Sequence, residues 1–182
     1  GFSLGNQSGL IGGLLHMINH GVMKACLFFI AGGLAFRIGE IRMPDLLQAS
    51  RRMPVTMALF VLVSFSMVGL PPTAGFFSKW YLISGGIEAG QWEYVCALIF
   101  SSLVNAVIFI RIFERAYFGQ ITEVKEDFVP FDSDANPETA IKEVPWSMLV
   151  PLFIASGSVL LVGIMNRTLF EWIQTALKMM NT

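Results

Sequence analysis

Positions 9–36 read GLIGGLLHMINHGVMKACLFFIAGGLAF, a run holding one lysine and no carboxylate. At ~1.5 Å rise per residue a helix over these positions is about 42 Å long. That exceeds the ~30 Å of hydrocarbon in a bilayer. The run shows none of the strict apolar–polar alternation of a membrane β-strand, so it reads as a transmembrane helix. Three further apolar stretches lie outward from it, at about 54–84, 94–113 and 146–165, the last extending as far as 172. The fold class that follows is all-α, a polytopic membrane protein of about four transmembrane helices.

Composition agrees. Of the 182 residues, 54% are hydrophobic and 14% charged, with a mean hydropathy of +0.64, against about 25% charged in an ordinary soluble domain. A formal net charge of −1 supplies no basic footprint for nucleic acid. Cys26 and Cys96 both sit in apolar runs and read as small core residues, neither a disulfide framework nor a metal cluster.

The charges gather between the spans. Arg37, Arg42, Arg51 and Arg52 stand against Glu40 and Asp45 in the first connection. Arg111, Arg115, Lys125 and Lys142 fall in the stretch after the third span, whereas the connection after the second holds only Glu88 and Glu93. Lys and Arg mark cytoplasmic loops, so both termini of this segment are expected outside. The segment 119–145, acidic and carrying Pro130 and Pro137, is expected to be a solvated cytoplasmic loop with partial disorder.

Two cations remain inside apolar helices, Lys24 and Lys79, with no Asp or Glu left there to pair with them. A cation at mid-helix costs roughly 2.5–3.5 kcal/mol on insertion scales, and such residues mark ion paths by default. Snorkelling to the headgroups is the plainer account. It fails for Lys24, which is followed by Ala25-Cys26-Leu27-Phe28-Phe29-Ile30, and is weaker for Lys79. His16, His20 and Lys24 recur every four residues, each step turning ~400° and rising ~6 Å. They therefore form one polar stripe, with Asn19 beside it. Histidine exchanges protons near neutral pH, so the stripe passes protons where water fills its gaps. Zinc binding by His-x-x-x-His is disfavoured because Met17 stands where a zincin has Glu and no third ligand is near. A b-type haem needs a His on each of two helices, and both histidines lie on one. No metal and no cofactor is expected. Packed, hydrogen-bonded histidines are the plain alternative.

The second span contains Gly69-Leu70-Pro71-Pro72, followed by Gly75, Ser78 and Lys79. The two prolines remove backbone donors and free the carbonyls near 67 and 68. Non-helical backbone at membrane depth lines a cavity or is buried in protein, and discontinuous helices build ion sites this way. A packing kink is the simpler reading; Lys79 close after the break favours an ion path.

His16-Met17-Ile18-Asn19-His20-Gly21-Val22-Met23-Lys24-Ala25-Cys26-Leu27-Phe28-Phe29 resembles the H-x-x-x-H-x-x-x-K-x-x-L-F helix of the antiporter-like subunits shared by respiratory complex I and Mrp-type Na⁺/H⁺ antiporters. Gly69-Leu70-Pro71-Pro72-Thr73-Ala74-Gly75-Phe76-Phe77-Ser78-Lys79 is similar to that family's broken helix, and Arg52-Met53-Pro54 to the stretch entering it. The resemblance covers about residues 1–120. It implies a proton relay through His16, His20, Lys24 and Lys79, with Lys24 on the central hydrophilic axis and Lys79 at the terminal site of a half-channel. The helix break at Gly69, Pro71, Pro72 and Gly75 and the polar Asn19 and Ser78 support it. Lys rather than Glu at position 79 points away from one complex I subunit and the His/His/Lys stripe away from another, so the D-type member of the Mrp antiporters is the expected nearest relative, with its hydrogenase-linked relatives close behind. Members carry two inverted repeats and this chain resembles only the second, so a C-terminal fragment is expected.

The function expected is a proton- or cation-translocating subunit of an Mrp-type Na⁺(K⁺)/H⁺ antiporter, a transporter rather than an enzyme. The alternatives are a proton-pumping subunit of NADH:quinone oxidoreductase or a membrane-bound hydrogenase, and a structural subunit with no transport of its own. Expected partners are other membrane subunits, H⁺ with Na⁺ or K⁺, and the lipid of the cell membrane, with no nucleic acid. Residues 1–118 are expected to form the core of the second repeat, 119–145 the acidic loop, and 146–182 the last span and tail.

Overall fold

The computed structural model describes residues 1–39, 45–118 and 143–180. The acidic loop expected at 119–145 and the charges Glu40 and Arg42 lie, but for 143–145, outside the described residues. After a 3-10 turn at Phe2–Leu4 come seven helices among the described residues: α1 (Gln7–Ile38), α2 (Asp45–Arg52), α3 (Pro54–Val68), α4 (Ala74–Glu88), α5 (Trp92–Phe118), α6 (Trp146–Ile164) and α7 (Asn166–Met180). α1, α5 and α6 are each long and apolar enough to cross a membrane. The fourth crossing is broken, α3 and α4 being separated by 69–73.

α1 starts where the Asn6 side chain accepts the Gly9 N–H at 2.8 Å, an N-cap satisfying one of the helix's four free donors. Ile11, Leu15, Asn19, Met23, Cys26, Ile30 and Leu34 form its buried stripe, at the three- and four-residue spacing of one helix face. Met23, Cys26, Ile30 and Leu34 of that stripe share one core with Met57 and Val63 of α3 and Leu149, Leu152 and Val159 of α6. At the N-terminal end of α1 small residues let helices touch backbone to backbone, as membrane helices do. A Cβ at Gly85 of α4 would stand 2.7 Å from the Gly9 Cα.

The opposite end is tied by Glu143. Its carboxylate accepts the Val55 N–H at 3.0 Å and the Thr56 N–H at 3.2 Å. It thereby places negative charge at the N-terminus of α3, where the helix dipole favours it. Arg37 at the end of α1 donates to the Glu143 carbonyl at 2.7 Å. The short α2 docks on the far end of α5, the Ser50 hydroxyl donating to the Ala116 carbonyl.

Two readings of the sequence are corrected. The last span does not run on to Trp172: α6 ends at Ile164, and α7 begins at Asn166 as a separate helix. Asn166 donates to the Tyr81 hydroxyl at 3.0 Å, and Phe170 stacks on Tyr81 at 4.8 Å, so α7 is held against α4. Cys96 is not a core residue. It is exposed on α5, of whose side chains only Val95 and Ala116 are buried, whereas Cys26 is fully buried.

Candidate functional site: a lysine held in a helix break

α3 stops because Gly69 takes φ 96°, a left-handed conformation that glycine adopts without steric cost. The N–H groups of Gly69 and Leu70 both turn back to the Phe65 carbonyl at 3.0 Å. In a continued helix the carbonyls of Met67 and Val68 would accept from residues 71 and 72. Both are prolines and have no N–H to give, so these two carbonyls are left at the break.

Lys79 takes both. Its Nζ donates to the Met67 carbonyl at 2.8 Å, the Val68 carbonyl at 3.0 Å and the Ser102 hydroxyl of α5 at 2.9 Å. An ammonium has three donors, and here all three have acceptors. The charge also sits at the C-terminal end of α3, where the dipole favours a cation. The lysine stem passes over Gly69, a Cβ there falling 3.2 Å from the lysine Cδ.

α4 restarts close beneath α3. The Gly75 N–H donates to the Ser66 hydroxyl at 3.2 Å, and a Cβ at Gly75 would overlap the Ser66 carbonyl oxygen. α6 presses on the break from another side, Gly163 leaving room for the Pro72 carbonyl. From α1, the buried Asn19 donates to the Ala74 carbonyl at 3.0 Å. His16 Nδ1 lies 3.0 Å from the Ser78 hydroxyl, itself 3.2 Å from the Gly75 carbonyl. A hydroxyl has one proton to give. With it on the Gly75 carbonyl, His16 Nδ1–H is the donor to Ser78; with it on Nδ1, the imidazole is neutral and its own proton is on Nε2.

The His20 ring follows at 5.5 Å centroid to centroid from His16. The structure therefore gathers His16, Asn19, Ser78, Lys79 and the break residues Gly69, Pro71, Pro72 and Gly75 where α1 crosses the α3–α4 junction, with His20 one turn away. Lys24 is not brought in. It is exposed on α1 and makes no hydrogen bond or ion pair among the described residues. Ser102 and Ser66 are not singled out by the sequence: hydroxyls in apolar helices, here beside Ser101 and Ser64, carry no local signal of what they face.

A family described as "NADH:quinone oxidoreductase/Mrp antiporter, TM" matches residues 1–105. NADH-quinone oxidoreductase subunit N of Desulforudis audaxviator is 41% identical over 94% of this chain and 34% of its own length. A putative antiporter subunit, mnhD2, of Staphylococcus aureus is 29% identical over 86% of the chain and 30% of its own. In fold, the chain is similar to a chain of the Mrp complex from Dietzia sp. DQ12-45-1b, with a TM-score of 0.72 at 20% identity over 89% of this chain and 36% of that one. The chain spans about a third of the length of these relatives.

Proposed function

The chain belongs to the NADH:quinone oxidoreductase/Mrp antiporter transmembrane family, and from that premise we propose that it translocates protons through the membrane as part of a multisubunit complex. The observation that carries this reading is Lys79, an intramembrane ammonium held in a helix break by two orphan carbonyls and Ser102. It adjoins Ser78, which is bonded to His16. Lys79, Ser78, His16 and His20 form the relay, with water bridging what direct contact does not, and Lys24 continues the stripe toward the surface α1 leaves exposed. Repulsion between lysines couples the steps, a proton arriving at Lys24 favouring release at Lys79. Under the same reading the ends of α1 and α5 that carry Arg37, Arg111 and Arg115 face the cytoplasm, and residues 1–118 form the second antiporter-like repeat.

Two assemblies fit. The 41% identity with the Desulforudis oxidoreductase relative favours a complex driven by electron transfer to quinone. The mnhD2 relative and the lysine rather than glutamate at position 79 support a Na⁺(K⁺)/H⁺ antiporter of the Mrp type. Proton uptake into vesicles holding the native complex separates them, starting with an electron donor in one case and a Na⁺ or K⁺ gradient in the other. In the full-length protein, Lys79→Ala and Lys24→Ala are expected to abolish that uptake while the complex still assembles. Wild-type uptake by both variants sinks the relay. Loss of assembly with no transport defect in what remains would make this a structural subunit whose polar stripe serves packing.

A further inference from the structure

The group that Lys79 occupies is a site in its own right. Its walls are the carbonyl oxygens of Met67 and Val68 and the hydroxyl oxygen of Ser102, at 2.8, 3.0 and 2.9 Å from the ammonium nitrogen. None of the three is ionised, and the two carbonyls are free because the residues that would have served them are Pro71 and Pro72. Unwound backbone carbonyls at the C-terminal end of a half-helix are the donor set with which membrane proteins coordinate alkali cations. An ammonium group and a potassium ion carry the same charge at nearly the same size, so oxygens spaced for one suit the other.

What is missing from the surroundings sets the class of ion. Divalent cations recruit carboxylates, and none stands here among the described residues. The single acid of α4, Glu88, lies at its far end; those of α5, Glu93 and Glu114, lie near its two ends; α3 and α6 have none. The facing α1 brings His16 and His20. With no negative charge to balance a divalent ion and three neutral oxygens at ammonium distances, the site suits one positive charge of potassium size.

We propose that Met67, Val68 and Ser102 form a monovalent-cation site for which the Lys79 ammonium is a tethered occupant, so that a potassium-sized ion enters when the ammonium swings out toward Ser78 and His16. If it swung out alone, two carbonyls and the negative end of the α3 dipole would lose their cationic partner. Entry of an ion relieves this with no change in net charge at the site. The inference deepens the relay reading and rests on it for what moves Lys79 out.

The test uses the full-length protein in its native complex, with rubidium as the probe. Lys79→Ala and Lys79→Gln empty the cage, and Lys79→Arg keeps a tethered cation in it. Expected is a saturable rubidium site in the Ala or Gln protein, absent from Lys79→Arg, competed by potassium and ammonium but not by magnesium. Adding Ser102→Ala should weaken rubidium retention roughly tenfold, the equivalent of one contact to a charged group. A Lys79→Ala or Lys79→Gln protein that assembles and holds no more rubidium than Lys79→Arg overturns the proposal, as does retention indifferent to Ser102→Ala. Should neither neutral variant assemble, the wild-type complex decides: potassium chloride, compared with choline chloride, must raise acetylation of Lys79 by a permeant anhydride, and no rise overturns the site. The two readings fail separately. Lost proton uptake without a rubidium site removes the cage and leaves the relay, whereas a rubidium site with intact proton uptake does the reverse.

Discussion

At Gly69 the backbone φ is 96° and a Cβ would lie 3.2 Å from the Lys79 Cδ. Replacing it with alanine therefore acts twice. A side chain in the left-handed region costs about 1–2 kcal/mol, and the added methyl pushes on the stem that reaches the carbonyls. Gly69→Ala in the full-length protein is expected to lower the thermal midpoint of the complex and also proton uptake per assembled complex. Uptake per complex equal to wild type would show that the stem does not need that gap. The break at Gly69, Pro71 and Pro72 and its two freed carbonyls were legible in the sequence because helix hydrogen bonding is local arithmetic: a proline at i withdraws the donor from the carbonyl at i−4. Which groups would take the orphaned carbonyls was not legible. Lys79 lies on α4 and Ser102 on α5, and only packing brings them to the same point.

The broken crossing is the element on which the site depends. Its two halves, α3 and α4, are 15 residues each, about 22 Å apiece at helical rise, so neither crosses ~30 Å of hydrocarbon alone. Restoring the donors by Pro71→Ala with Pro72→Ala gives the Met67 and Val68 carbonyls a helical partner. The double variant is expected to lose proton uptake while the complex still assembles, because Lys79 then keeps one acceptor of three. A double variant with full uptake would mean that the break serves packing alone. The same element marks where hydropathy reading fell short. Past Met165 the sequence turns polar with Asn166, Arg167, Thr168 and Glu171, but no glycine or proline marks the stop, and α7 starts at Asn166, where Asn166 and Phe170 engage Tyr81, a contact no local pattern announces.

For the molecule as a whole, one face of α1 is left bare. Met17, Gly21, Lys24, Phe28 and Gly32 are exposed along it, and a Cβ at Gly21 or Gly32 would meet nothing within 4 Å. A face mixing a lysine with small residues is suited to helix packing rather than to lipid, where a mid-helix charge is costly. Gly21→Leu in the full-length protein is expected to reduce recovery of the assembled complex, measured as complex per unit membrane protein. Unchanged recovery would place this face against lipid or open water. The apolar runs, their lengths, the break and its two freed carbonyls, and the family itself were determined by the sequence, because each depends on hydrophobicity over about 20 residues, on a proline's missing donor, or on motif spacing along one helix. Only the tertiary structure decided that Lys79 is the group that fills the break, that His16 bonds Ser78 beside it, that Ser102 completes it and that Lys24 is left exposed. Those facts depend on how α1, α3, α4 and α5 cross, and helix crossing is set by contacts between residues far apart in the chain.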